Sequence, residues 1–85
     1  MLDKINLDIN RRFYEVFDKL AEAEVLGSRN SFFAEYSIDK RNFNAIRTSD
    51  SRRVDARLLS ILVSNYNVSA HWLLTGDGKM FGNKK

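Results

Sequence analysis

Proline is absent from the 85 residues, and three of the four glycines (76, 78 and 82) fall after residue 75, leaving Gly27 alone before them. Proline and glycine are the usual punctuation of sheets and long loops. Their scarcity over most of the chain predicts an all-α fold of several helices joined by brief turns. A chain of this length holds one domain and buries roughly 60–65% of its unfolded surface, so its core must be small and efficient. With 44% hydrophobic residues, one core of that kind can be filled. We therefore expect a single domain over 1–85, with 1–7 and 82–85 loosely ordered.

Periodicity places the helices. Ile9, Phe13, Val16, Phe17, Leu20 and Leu26 recur at spacings of three and four, with Arg12, Glu15, Asp18, Lys19 and Glu22 between them, predicting an amphipathic helix from Ile9 to Leu26. Asp8 is its expected N-cap, and Gly27 stands where a left-handed residue would end it. Ser28 can cap a second helix, Arg29 to Tyr36, whose apolar face is Phe32, Phe33 and Tyr36. After a break at Ser37-Ile38-Asp39, Asp39 can cap a two-turn helix, Lys40 to Arg47. Thr48 to Arg53 reads as a loop. Val54 to Tyr66 holds the densest apolar cluster, and Ser69 can cap a short fifth helix, Ala70 to Thr75, closed by Gly76. Asp77-Gly78 reads as a turn that lets Met80 and Phe81 fold back as apolar lids.

Composition excludes several chemistries. Without cysteine there is neither a disulfide nor a thiolate nucleophile or ligand, and the single histidine, His71, allows neither a His-based metal site nor a Ser-His-Asp triad. The glycines near the end lack the strand and the Gly-Lys-Ser/Thr ending of a phosphate loop. The carboxylates at 15, 18, 22 and 24 read as a solvated outer face of the first helix. No enzyme activity, cofactor, metal or small-molecule substrate is expected. No apolar run approaches the roughly 20 residues of a membrane span, so no membrane association and a cytoplasmic location are expected.

The net charge of +3 gains meaning when divided along the chain: −2 over residues 1–27, +3 over 28–57 and +2 over 58–85. The positive charge is centred on an arginine-rich middle third. There, two short helices meet at a tight turn, and the second is small, polar and basic, the outline of a helix-turn-helix. With Ile38, Phe43 and Ile46 inward, Asp39, Lys40, Arg41, Asn44 and Ala45 project outward. Arginine can pair bidentately with guanine and asparagine with adenine, so Lys40, Arg41, Asn44 and Ala45 are the candidate base readers. Arg29, Asn30, Arg47, Arg52 and Arg53 are the candidate phosphate contacts. A solubilising polar face explains the same pattern equally well. In the DNA reading, the acidic first helix faces away from the duplex.

The closing stretch Tyr66-Asn67-Val68-Ser69-Ala70-His71-Trp72-Leu73-Leu74-Thr75-Gly76-Asp77-Gly78-Lys79-Met80-Phe81 resembles the end of the phage-repressor-like (Cro/repressor, XRE-type) helix-turn-helix proteins, in the form found in Bacteroidetes and their mobile elements. Arg12-Phe13-Tyr14-Glu15-Val16 and Phe33-Ala34-Glu35 are similar to earlier parts of that family, so the resemblance spans about residues 12–81. It implies a compact five-helix lambda-repressor-like domain in which Trp72, Leu73, Met80 and Phe81 close the core. It also implies a sequence-specific double-stranded DNA-binding transcriptional regulator, a repressor of phage or mobile-element type, with the recognition helix at about 40–47. Such proteins work as homodimers, whose contact here would come from the last helix, its turn or the N-terminal segment. At Tyr36-Ser37 the chain departs from the family's turn, where glycine is common. The competing expectation is a protein–protein interaction module with the same fold and no specific DNA binding.

Overall fold

A computed structural model describes residues 2–82 and contains five α-helices in chain order: α1 Lys4–Glu22, α2 Arg29–Glu35, α3 Lys40–Thr48, α4 Ala56–Asn65 and α5 Ala70–Thr75. Among the described residues there is no strand, only an isolated antiparallel bridge between Val68 and Phe81. The all-α expectation is met. The expected tail residues 83–85, like Met1, lie outside the described residues.

Three helices begin and end close to where their caps predict. Ser28, Asp39 and Ser69 are the N-caps of α2, α3 and α5, each accepting a backbone N–H from the first turn with its side-chain oxygen. α4 starts at Ala56 rather than Val54, because the extended Asp55 accepts the Leu58 N–H as N-cap and leaves Val54 outside the helix, though buried. The largest correction concerns α1, which runs from Lys4 to Glu22 instead of Ile9 to Leu26. Its N-cap is Asp3, bonded to the Asn6 N–H; Asp8 lies inside the helix and pairs with Lys4 at 3.0 Å. Residues 4–7, expected to be loose, are thus helical, and the Leu2 N–H is tied to the Asp50 carbonyl at 2.8 Å.

The end of α1 also differs in kind. The left-handed residue that stops it is Glu24 (φ 61°), with the Val25 N–H bonded to the Leu20 carbonyl and the Glu24 N–H to that of Ala21. This is a Schellman cap with glutamate where glycine is usual. Gly27 (φ 79°) is left-handed too, but serves the following turn. Leu26 leaves the helix and is still buried.

Six aromatic rings from three helices lock the core. Phe43 of α3 lies 4.9 Å from Phe17, 4.9 Å from Phe33, 5.2 Å from Tyr14 and 5.8 Å from Phe13, centroid to centroid. Phe32 completes the cluster 5.2 Å from Phe17. Offset and edge-on ring pairs add roughly 0.5–1.5 kcal/mol each beyond their burial. This fixes the inner side of α3 and leaves the opposite side to solvent. Leu58, Ile61 and Leu62 of α4 and Trp72 and Leu73 of α5 close the other side of the core. Met80 packs partly against it, but Phe81, expected as a lid, is exposed; its backbone is held by the bridge to Val68 while its ring remains outside.

Arg12 lies among the polar residues of the first helix, yet among the described residues it is buried, as is Asn10. Its guanidinium donates to the carbonyls of Leu73 (2.8 Å) and Leu74 (3.1 Å), at the C-terminus of α5. The last carbonyls of a helix lack intrahelical partners and carry the negative end of its dipole, so a buried cation is stabilised there. Gly76 makes room for it: at φ 83° it adopts the left-handed cap, and a Cβ there would stand 3.1 Å from the Arg12 Nη1.

Candidate nucleic-acid interface

The polar middle helix takes its position from the turn before it. α2 ends in a second Schellman cap: the Ile38 N–H donates to the Phe33 carbonyl at 2.8 Å and the Ser37 N–H to that of Ala34 at 3.3 Å. Ser37 is left-handed at φ 54°, a conformation that glycine adopts without strain, and here a side chain occupies it. Four residues, Tyr36 to Asp39, separate the two helices. The guanidinium of Arg57 donates to the Tyr36 carbonyl, tying the same turn to α4. Asp39 then accepts N–H bonds from Arg41 and Asn42 at the start of α3.

Phe43 and Ile46 are the buried residues of α3. At about 100° per residue, the side of the helix opposite them carries Arg41, Asn44, Ala45 and Thr48, with Lys40 at one edge and Asn42 at the other. Lys40, Arg41 and Asn44 are exposed and Ala45 is half-buried. Among the described residues, no side-chain partner holds Lys40, Arg41 or Asn44. The four candidate base readers therefore lie on adjoining parts of one surface. Thr48, placed in the following loop by composition, extends α3 by one residue and joins that surface.

The candidate phosphate contacts divide into two groups. Arg53 is exposed and unpartnered among the described residues, and Asn30 is exposed in the first turn of α2. Arg52 reaches the Asn42 Oδ1 at 3.4 Å, on the Asn42 edge of α3. Its loop is built, not slack: the Ser49 Oγ accepts the N–H groups of Ser51 and Arg52, and Asn10 donates to the Arg52 carbonyl (2.8 Å) while accepting the Val54 N–H (3.0 Å).

Arg47 and Arg29 form the second group, and their guanidinium groups converge on a carboxylate. Arg47 makes a two-point ion pair with Asp18 of α1, at 2.9 and 3.0 Å, and lies 4.6 Å from the centroid of the Tyr14 ring. Arg29 approaches the same carboxylate at 3.7 Å. The hydrogen bonds from Arg47 hold the Asp18 carboxyl below its ordinary pKa against the effect of partial burial, and Asp18 raises that of Arg47 in turn. Tyr14 donates to the Phe43 carbonyl at 2.7 Å, and burial pushes its hydroxyl up to about 12. The expectation that residues 15, 18, 22 and 24 form a solvated outer face thus holds for the exposed Glu15, Glu22 and Glu24 but not for Asp18. The first helix does not turn all its acid away from the candidate interface.

Asn10, Tyr14 and Asp18 are spaced four apart and share one face of α1. Each bonds to α3 or to the loop after it. Asn10 and Tyr14 are not among the candidate site residues expected from the sequence, although a polar stripe of period four beside the apolar one at 13, 16, 17 and 20 is a visible signal.

His71 is exposed, and no group of three or more His, Cys, Asp or Glu side chains among the described residues is placed to hold a metal ion. No helix among them is long and apolar enough to cross a membrane. A second surface lies between α4 and α5: an apolar groove of about 220 Å³ lined by Ala56, Leu59, Ser60, Val63, Leu73 and Leu74. Compared with protein-family models, curated proteins and solved structures, the chain matches none.

Proposed function

We propose that the chain is a sequence-specific double-stranded DNA-binding regulator of transcription, a repressor of phage or mobile-element type, with α3 as its recognition helix. One observation carries this reading. On a helix whose inner side is locked by Phe43 and Ile46, the exposed side bears Arg41 and Asn44 without intramolecular partners. Free guanidinium and carboxamide groups are the two side chains best suited to bidentate pairing with guanine and adenine in the major groove, and a methyl such as that of Ala45 suits the thymine methyl. Lys40 adds a cation at the edge, and Arg52, Arg53 and Asn30 supply flanking contacts to phosphate. The resemblance of residues 12–81 to repressor-like proteins points the same way. A homodimer would place two such helices one turn of the duplex apart.

Selection of bound duplexes from a random pool, followed by salt titration of the winner, tests the proposal. Affinity should fall with a log–log slope of about −0.9 per phosphate contact. Arg41→Ala should cost about 1–3 kcal/mol, confined to one base position. No duplex binding at low salt would overturn the reading. The alternative, a protein–protein interaction module, is favoured by the α4–α5 groove and by Leu74 at its rim, 48% exposed. In that case Leu74→Ser should abolish partner binding, and Arg41→Ala should have no effect.

A further inference from the structure

We propose that Asp18 is an internal competitor for DNA phosphate: its carboxylate occupies Arg47 and Arg29 and keeps both out of the phosphate-contacting set, which lowers sequence-independent binding while leaving Arg41 and Asn44 free to read bases. The inference rests on the DNA-binding reading of α3. Its geometric basis is that two arginines from different helices, α2 and α3, converge on one carboxylate from a third. A carboxylate accepting two parallel N–H bonds from a guanidinium offers what a phosphate's oxygens would offer. The pair is accessible to solvent, with the side chains of Asp18 36% and Arg47 33% exposed, so a duplex beside α3 meets a neutralised arginine there. Tyr14 adds a second hold on Arg47, its ring lying beneath the guanidinium.

The consequence follows from what cations contribute. Sequence-independent affinity comes almost wholly from neutralised phosphates, whereas discrimination comes from the base edges. Neutralising two of the arginines that flank α3 removes affinity for all duplexes alike and leaves the difference between right and wrong sequences intact. Asp18 on this account sets how tightly any duplex is held, without touching the DNA.

The test needs no operator. Binding of a short random-sequence duplex is measured over a range of salt concentrations for the wild-type chain, Asp18→Asn, Arg47→Ala, the double variant and Arg53→Ala, with folding checked by circular dichroism. Asp18→Asn should bind on the order of tenfold more tightly at low salt, with a slope steeper by about 0.9 for each arginine recruited. Arg47→Ala should remove that gain in the Asp18→Asn background and leave the slope unchanged in the wild type, where Arg53→Ala should reduce it by about 0.9. Binding by Asp18→Asn that is equal to or weaker than wild type overturns the inference and leaves the DNA reading standing. So does an Arg47→Ala slope reduced as much as that of Arg53→Ala, a comparison that decides the matter even where Asp18→Asn fails to fold. If neither wild type nor variant binds duplex, the DNA reading itself fails and this inference with it.

Discussion

Ser37 occupies the left-handed conformation at φ 54° that the α2 cap demands. A side chain there costs roughly 1–2 kcal/mol, part of which glycine returns through the greater freedom of its unfolded chain. Ser37→Gly should therefore stabilise the domain by about 0.5–1 kcal/mol, seen as a rise of a few degrees in the melting midpoint; a fall would mean the hydroxyl does more than tolerate the turn. Asp18 makes a second residue-scale prediction. Its folded pKa lies below the ordinary value of 3.8, so its stabilisation is fully present above that value and is lost as pH falls through the lowered one. The wild type should exceed Asp18→Asn by about 0.5–1 kcal/mol at neutral pH. In acid denaturation followed by circular dichroism, that advantage should vanish below the carboxylate range. Caps made by one side chain on its own backbone, Ser28, Asp39 and Ser69, were legible in the sequence because their chemistry is local. Glu24 and Ser37 were not: a left-handed residue other than glycine is imposed by the packing around it, and nothing in its own side chain announces it.

The helices divide along the same line. Apolar periodicity located the longer helices, since one stripe per helix must face one core, and the caps Ser69 and Gly76 located α5. It misjudged the start of α1, where Lys4–Asp8 and Asp3–Asn6 contacts support the five residues from Lys4 to Asp8, which few apolar residues mark. It also missed the partners of α1's polar side chains, because Arg12 and Leu73, or Asn10 and Val54, are far apart in sequence. Arg12 is the clearest case. It couples the opening helix to the Leu-Leu-Thr-Gly end of α5, 61 and 62 residues further along the chain. Arg12→Met preserves the buried stem but leaves the Leu73 and Leu74 carbonyls without their donor. It should cost about 2–3 kcal/mol in denaturant unfolding with an unchanged m-value. A loss under 0.5 kcal/mol would show that water replaces the guanidinium without penalty.

For the molecule as a whole, the division of charge read from the sequence survives, with one revision. The arginine-rich middle does surround α3, but two of its arginines face an aspartate from the acidic helix, so the cationic surface is smaller than composition implies. The cations that remain are Lys40, Arg41, Arg52 and Arg53, beside Asn44 around one exposed helix side, with the apolar α4–α5 groove elsewhere. The candidate site was legible because its residues sit within one short helix and its loop; the clamp that limits it was not, because it joins three helices. The most direct measurement is a map of backbone amide chemical shifts of the isotope-labelled chain as duplex DNA is added. Binding through α3 predicts the largest changes at Lys40–Thr48 and residues 50–54, with α5 unmoved. Changes centred on α4 and α5, or none anywhere, would contradict it.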